Sequence, residues 1–257
     1  VPQYPLYCLY LFGGKIMPKI SILMPAYNEG ENLRKAVIET MKELKGLDYE
    51  IIIINDGSRD NTPEVARELC ESFRNVQLVS YSKNRGKGYA LKKGFEKSNG
   101  EIIVFFDADL DIPPSQIKRF IKFLQNGYDV VIGSKYLPGA RVRYSEKRRL
   151  FSIWYRTLVK LLLKLDVSDT QVGLKVFKRE VLEKAFSKVL VKKYAFDVEL
   201  LTVINMYGYK IYELPIKIEH KSFNSSINYR AIARMFLDTA AIVYRKNILH
   251  YYNGDKR

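Results

Sequence analysis

Five short apolar runs constrain this chain more than any other feature: Lys19–Met24, Glu50–Ile54, Val76–Tyr81, Glu101–Phe106 and Asp129–Ile132. A strand with one wet face alternates polar and apolar residues, whereas an unbroken run suits a strand covered on both faces of a mostly parallel sheet. Helix-like segments with a 3.6-residue apolar period separate the runs, over 30–45, 61–74, 87–98 and 114–126. The alternation predicts an α/β, doubly wound, mostly parallel sheet with right-handed crossovers. It places any ligand at the carboxyl ends of the strands. At 257 residues and 47% apolar, the chain has the material for one large buried core and lacks the composition of a disordered one. We expect residues 17–227 to form that domain, with 1–16 as an N-terminal appendage and 228–257 as an amphipathic C-terminal helix and tail.

The loops at the strand ends then decide the chemistry. Pro25-Ala-Tyr-Asn-Glu29, Asn55-Asp-Gly-Ser-Arg-Asp60, Ser82-Lys-Asn-Arg-Gly-Lys-Gly88 and Asp107-Ala-Asp-Leu-Asp111 come directly after the first four runs, and topology brings them to one rim. Asp107 and Asp109, one residue apart where a buried strand loses its regularity, can address a divalent cation and a nearby ribose or phosphate. Asp111 adds a third oxygen donor. Hard oxygen ligands suit Mg²⁺ or Mn²⁺, which keep open positions for diphosphate oxygens. Pro113 and Pro114 suit the start of the next helix. Arg85-Gly-Lys-Gly88 lacks the spacing of a phosphate loop, and no Gly-x-Gly-x-x-Gly comes after the first strand. Its glycines instead let backbone amides and the basic residues, Lys87 included, approach a nucleotide at a helix start.

Lysine and arginine number 43 against 28 aspartates and glutamates, a net charge of +15. Such an excess asks for an anionic partner: nucleic acid, a phosphorylated substrate or an anionic membrane surface. The charge is concentrated. From Lys135 to Lys164 nine basic residues stand against one acid, Glu146. Arg156, Lys160 and Lys164 share one helical face, and Leu150, Phe151, Ile153, Trp154 and Leu158 supply apolar surface beside it. Segment 145–166 therefore reads as a cationic helix lying in a membrane interface. No run approaches the roughly 18 residues that cross a bilayer, so the expected location is peripheral, on the cytoplasmic face of a membrane. Residues 1–16 do not read as a signal peptide. Cys8 and Cys70 cannot make a disulfide framework, which suits a reducing compartment. Basic residues interleaved with aliphatics rather than exposed aromatics argue against nucleic acid as the partner. The helix over 229–250 offers a face to lipid, to the first helix or to a second copy in a homo-oligomer.

Pro-Ala-Tyr-Asn-Glu, Asn-Asp-Gly-Ser-x-Asp, Asn-Arg-Gly-Lys-Gly and Asp-Ala-Asp, in this order, resemble the family 2 glycosyltransferases, whose fold is the Rossmann-like GT-A fold. Gly133-Ser-Lys-Tyr136, Asp169-Thr-Gln-Val-Gly-Leu-Lys-Val-Phe177 and Ala195-Phe-Asp-Val-Glu-Leu-Leu201 are similar to the polyprenyl-phosphate branch. Within it they are nearest the dolichyl-phosphate glucose synthases, then the mannose synthases. The resemblance implies an inverting, metal-dependent transfer of a hexose from a nucleotide-sugar donor, with UDP-glucose favoured, to a polyprenyl phosphate. It implies that Pro25, Ala26, Tyr27 and Glu29 cradle base and ribose, with Asp56 at the base edge. Lys83, Arg85 and Gly86 would lie near base and phosphates, and Asp107 and Ala108 beside the ribose. Asp109 would hold the metal, joined by Asp111 where mannose synthases usually have a glutamine. Lys135 stands where relatives often carry arginine.

A lipid phosphate is already an anionic nucleophile, so such a site needs cations rather than a strong base. Lys135, Arg141, Arg143, Arg148 and Arg149 are the candidates, with Lys221 the nearest to a basic residue that relatives place near position 227. His220 and His250 have no catalytic part to play. Asp169 and Gln171 are expected to contact the transferred sugar or place the acceptor. Asp197 and Glu199 compete for the same task, although Asp197 is equally suited to capping its helix. A polysaccharide or protein acceptor is the second reading, and nucleic-acid binding ranks last.

Overall fold

The computed structural model describes residues 11–12, 15–16, 19–141, 146–219 and 229–253, and for 11–12, 15–16, 146–152 and 229 the backbone alone. Strands β1 (Leu11–Phe12) and β2 (Lys15–Ile16) pair antiparallel with each other. The main sheet comprises β3 (Ile20–Ala26), β4 (Tyr49–Asp56), β5 (Val76–Tyr81), β6 (Ile102–Phe105), β7 (Val130–Ser134), β8 (Lys175–Lys178) and β9 (Ile211–Pro215). Their order is β5-β4-β3-β6-β8-β7-β9, and only β8 runs antiparallel to its neighbours. Helices α1 (Gly30–Glu43), α2 (Thr62–Ser72), α3 (Lys87–Lys97) and α4 (Ile117–Gln125) come from the first half. The second half supplies α5 (Glu146–Leu163), α6 (Arg179–Phe186), α7 (Phe196–Met206) and α8 (Tyr229–Asn247).

The two-residue period of a strand sorts the apolar runs onto two faces. Ile20, Ile22 and Met24 of β3 join Leu33 and Val37 of α1, Leu69 of α2 and Phe120 of α4 in one core. Leu23 of the same strand, with Ile52 and Ile54 of β4, faces Leu91 of α3, Val159 of α5 and Leu200 of α7 in the other. The result is the expected three-layer α/β arrangement with a mostly parallel sheet.

Several details differ from the sequence reading. Strand β8, wedged between β6 and β7, has only four residues and begins with a lysine that is 1% exposed, so no apolar run announces it. Segment 114–126 divides into a 3₁₀ turn, Pro114–Gln116, and α4. The helix expected over 145–166 ends at Leu163, with Lys164 at φ +51°, and the one expected over 229–250 ends at Asn247. Helix α8 is tethered to α7 where buried Glu199 accepts from Arg245 Nη2 at 2.7 Å and from the Tyr252 hydroxyl.

Because β8 is reversed, its amino end meets the carboxyl ends of β3, β4, β6 and β7 at one rim. The opposite edge is organised by Glu50, 3% exposed at the start of β4. Its carboxylate accepts from Ser21 Oγ and Asn99 N–H, each at 2.7 Å, and from Gln77 Nε2 at 3.0 Å. Burial opposes its ionisation, yet the bonds from Ser21 and Asn99 and the charge of Lys19 outweigh that and hold it below the ordinary glutamate pKa. Its contribution to stability is therefore complete above the unfolded glutamate pKa and lost as pH falls through the lowered folded value. We expect Glu50→Gln to cost about 2 kcal/mol at neutral pH, with the difference from wild type shrinking in acid. Thermal melts across a pH series check this.

Candidate active site

The first half of the rim is tied together by loop-to-loop hydrogen bonds. Asn28, at φ +58°, accepts from Arg59 N–H at 2.8 Å, and Glu29 N–H donates to Thr62 Oγ1 at 2.8 Å. Asp56, 4% exposed, accepts from the N–H groups of Arg85 at 2.7 Å and Gly86 at 2.8 Å. Gly86 sits at φ +97°, and a Cβ there would meet the Lys192 carbonyl at 2.6 Å, so this loop needs glycine. Pro25, Ala26, Tyr27, Glu29, Asp56, Gly86, Lys87, Asp107, Ala108 and Asp109 line a cleft of about 280 Å³. Tyr27 stands 44% exposed on it.

Beyond β6 the Phe106 N–H still pairs with the Leu23 carbonyl at 3.1 Å, and the chain then turns through Asp107-Ala-Asp-Leu-Asp111. Lys87 Nζ reaches the Asp107 carboxylate at 2.6 and 2.7 Å. Burial works against the Lys87 charge, but Asp107 and Asp197 outweigh it and raise its pKa. Asp111 N–H closes on Asp109 Oδ1 at 3.0 Å, and buried Leu110 between them is held at φ +61°. That conformation costs a branched residue about 1–3 kcal/mol and persists only where its surroundings impose it. The turn aims Asp107, Asp109 and Asp111 into a second pocket of about 170 Å³ that also contains Lys135, Gln171 and Gly173. Burial pushes the Asp109 carboxyl up to about 6, with Asp107, Asp111 and Glu29 adding repulsion. Glu29 is raised likewise, by burial first and then by Asp107, Asp60 and Asp111. Carboxylates crowded this way are suited to a divalent cation. Among the described residues no three Asp, Glu, His or Cys side chains form a cage by themselves. A cation here would take only one or two protein oxygens and leave its other positions to a ligand, as Mg²⁺ and Mn²⁺ do.

The second half of the rim comes from β7 and the approach to β8. Asp169, 3% exposed, accepts from Lys135 N–H and Gln171 N–H, both at 3.2 Å, and pairs with Lys135 Nζ at 3.6 Å. The Asp169 loop is held from β9, where Glu213 accepts from Ser168 N–H and Oγ and from Asp169 N–H at 2.8–3.2 Å. Gln171 Nε2 donates to the Tyr194 carbonyl at 3.4 Å. A Cβ added to Gly173 would overlap the Asp107 carboxylate, so the two halves touch only because that residue is glycine. Lys135, Asp169 and Gln171 also line a third cavity, of about 130 Å³, walled by Tyr155 and Arg156 of α5 and by Ile232, Met235 and Phe236 of α8.

Not every expected residue converges. Lys83 is exposed and lines none of these pockets, and Arg85 is turned outward onto Tyr89, with Cζ 4.9 Å from the ring centroid. Asp56 lines the cleft, but its carboxylate is engaged with the loop backbone it shapes. The exposed side chain of Arg141 lies where its backbone bridges to Lys217. Arg143 and Lys221 fall outside the described residues, and Arg148 and Arg149 lie on α5 where the backbone alone is described. The basic face expected on α5 is split. Lys160 and Lys164 are exposed, whereas Arg156 turns inward over Tyr136, with Cζ 3.5 Å from the ring centroid. Sequence reasoning passed over Gly173 and Glu213. Gly173 lies inside the Asp169–Phe177 motif, while no pattern marks Glu213.

A family model described as Glycosyl transferase family 2 matches residues 21–186. The chain belongs to glycosyl transferase family 2. Among curated relatives of this family member is AglD of Haloferax volcanii, 31% identical over 208 residues, 79% of this chain and 33% of that protein. Dolichyl-phosphate beta-glucosyltransferase ALG5A of Trichomonas vaginalis is 32% identical over 77% of this chain and 65% of its own length. Dolichol-phosphate mannosyltransferase of Pyrococcus furiosus is 33% identical over 71% and 55%. The chain thus spans between one third and two thirds of these relatives. The fold matches that of glucosyl-3-phosphoglycerate synthase from Mycobacterium tuberculosis in complex with uridine-diphosphate, at a TM-score of 0.69 and 21% identity, over 89% of this chain and 80% of that one. The same synthase with Mn²⁺, UDP-glucose and glycerol 3-phosphate superposes at 0.68 with 21% identity, over the same 89% and 80%.

Beneath the candidate site lies a buried ion pair. Lys175 Nζ donates to Asp197 Oδ1 at 2.7 Å and to the Val172 carbonyl at 2.6 Å, fixing the segment that carries Gly173. Burial pushes the Lys175 ammonium below its ordinary pKa, and Asp197 opposes the push. Leaving one buried charge without its partner costs about 3–5 kcal/mol, whereas replacing both by apolar groups is often neutral. We expect Asp197→Ala to lose stability of that order and the Lys175→Met/Asp197→Leu double variant to recover most of it, measured by denaturant unfolding.

Proposed function

We propose that this family 2 glycosyltransferase moves a hexose, with glucose favoured, from UDP-sugar to a polyprenyl phosphate at a membrane surface. The observation that carries the reading is the second pocket, where three aspartates and the Lys135 ammonium line one space. A reaction that brings a cation and more than one anion together can use that combination. The dolichyl-phosphate relatives support the acceptor, and the Mn²⁺ and UDP-glucose bound by the structural neighbour support the donor and a divalent ion.

In this reading the base and ribose occupy the first cleft, against Tyr27, with Glu29 and Asp107 toward the sugar hydroxyls. Asp109, with Asp111, holds Mg²⁺ or Mn²⁺, which when bound neutralises charge on the departing diphosphate. Lys87 pairs with the Asp107 carboxylate and holds it in place. The acceptor phosphate oxygen forms a bond to the anomeric carbon from the face opposite the diphosphate. The broken carbon–oxygen bond leaves its electron pair on the diphosphate, and the anomeric configuration inverts. The acceptor is already an anion, so no residue has to remove a proton from it. Lys135, fixed by Asp169, offsets repulsion between two phosphates, with Arg143, Arg148, Arg149 and Lys221 as the further basic candidates. Gln171 contacts the transferred sugar.

Membrane association is supported by the surface of α5 and α8. No helix among the described residues is long and apolar enough to cross a bilayer. Trp154, 56% exposed, packs against Phe236 at 5.1 Å between ring centroids, and Leu161 and Leu237 are 72% and 70% exposed, with Lys160 and Lys164 alongside. Exposed apolar side chains near lysines, of which Lys160 pairs with Asp166, suit the interface of an anionic bilayer, where a basic residue contributes about 1 kcal/mol.

The test is a donor panel of radiolabelled UDP-glucose, GDP-mannose and UDP-N-acetylglucosamine with dolichyl phosphate and Mg²⁺ or Mn²⁺, scored by label extracted into lipid. UDP-glucose should give lipid-linked sugar. GDP-mannose as the better donor would move the assignment to mannose, and label only in water-soluble glycan would refute the lipid acceptor. Asp109→Ala should abolish transfer. Gly173→Ala, which displaces Asp107, should lower turnover on the order of 10²-fold while the protein stays folded.

A further inference from the structure

The third cavity, between α5 and α8, is not required by donor binding, yet it shares Lys135, Asp169 and Gln171 with the rim where transfer occurs. Its wall from α5 holds Arg156. That guanidinium lies flat on the Tyr136 ring, 3.5 Å from the centroid, and Nη1 donates to the Ser168 carbonyl at 3.2 Å. Its Nε–H is enclosed and has no hydrogen-bond partner among the described residues. A guanidinium has five N–H donors, and a purely structural arginine at this depth normally spends them, because an unmet buried donor is costly. Stacking and the Ser168 bond hold the group in one orientation before any ligand arrives.

The charges in the cavity lining are Lys135 and Arg156 against Asp169 alone, so the lining is net cationic. Tyr155, Met235 and Phe236 add apolar surface to the same lining. The cavity therefore suits a ligand that joins a phosphate monoester to a hydrocarbon. We infer that Arg156 binds the acceptor: its guanidinium takes the phosphate of an isoprenoid-type lipid, and the first apolar units of that lipid run between α5 and α8 over Met235 and Phe236. This rests on the lipid-phosphate reading above and gives it a residue and a path. Arg156 then works with Lys135, one cation from α5 and one from the end of β7, and the acceptor's oxygen is delivered beside Gln171. A small phosphomonoester shares the phosphate chemistry but leaves the apolar wall unused.

Steady-state kinetics with a water-soluble two-isoprene phosphate and, separately, 3-phosphoglycerate as acceptors test the assignment, with UDP affinity measured by calorimetry. Arg156→Met should raise KM for the isoprenoid phosphate roughly 10- to 100-fold, the range for a lost hydrogen bond to a charged group. UDP affinity and donor KM should stay within about twofold, far below that range. Arg156→Lys keeps the charge without the planar fork and should fall between, which preserves the test if the methionine variant folds poorly. Phe236→Glu should weaken the isoprenoid phosphate and not inhibition by inorganic phosphate. An unchanged acceptor KM in both Arg156 variants, or an equal loss of UDP affinity, would make Arg156 structural and overturn the inference while the lipid-phosphate reading stands. Transfer by the wild type to 3-phosphoglycerate alone would overturn the lipid path. Wild-type transfer to neither acceptor, with UDP still bound, would overturn the lipid-phosphate reading and the inference together.

Discussion

A carboxylate at the end of a buried strand needs a counter-charge, and the Lys87–Asp107 pair supplies it at the point where the elements of this site meet. Asp107 leaves β6, Lys87 opens α3, and Gly173 approaches the same carboxylate from the lead-in to β8. Below them the Lys175–Asp197 pair fixes the Val172 carbonyl, so the segment bearing Gln171 and Gly173 cannot drift from Asp107. With Asp107 held by a lysine, Asp109 and Glu29 are left as partly buried acids that repel one another. Asp107, Asp109 and Asp111 line one pocket, so this repulsion is concentrated there. That is the physical basis for expecting a divalent cation to enter with a diphosphate.

The reversed strand β8 is what makes the rim two-sided. A wholly parallel sheet would carry its loops along one edge and leave the far side of Asp107 open. Inserting β8 between β6 and β7 turns the segment 169–173 back over the aspartates and sets Asp169 against Lys135. Glu213 from β9 and Arg156 from α5 grip Ser168, just before that segment, through its N–H and its carbonyl. The Lys135–Asp169 side of the rim therefore depends on α5 and β9 from the second half of the chain, whereas the first cleft is lined by residues no later than Asp109.

Legibility in the sequence tracked burial. Strands β3, β4, β6 and β7 were readable because both their faces are covered, which leaves unbroken apolar runs, and the loops after the strands could be ordered at one rim from topology alone. Strand β8 was not, because a four-residue strand headed by Lys175 looks polar until Asp197 is known to meet that lysine. The aspartates were legible from position, whereas Arg85 and Lys83 were misleading: loop lysines and arginines carry no information about which way the side chain turns, and Arg85 finds Tyr89 instead. Arg156 shows the same limit in reverse. Helical spacing grouped it with Lys160 and Lys164, and only the position of Tyr136 reveals that it faces inward.

On this account the carboxylate cluster at the rim is arranged to be neutralised by a divalent cation bound together with a nucleotide diphosphate. Calorimetric titration of the wild-type protein with UDP, once with Mn²⁺ and once with EDTA, measures this directly and does not depend on knowing the acceptor. Binding should be at least about tenfold tighter with the metal, a difference of about 1.4 kcal/mol. Equal affinity in the two titrations would contradict the account.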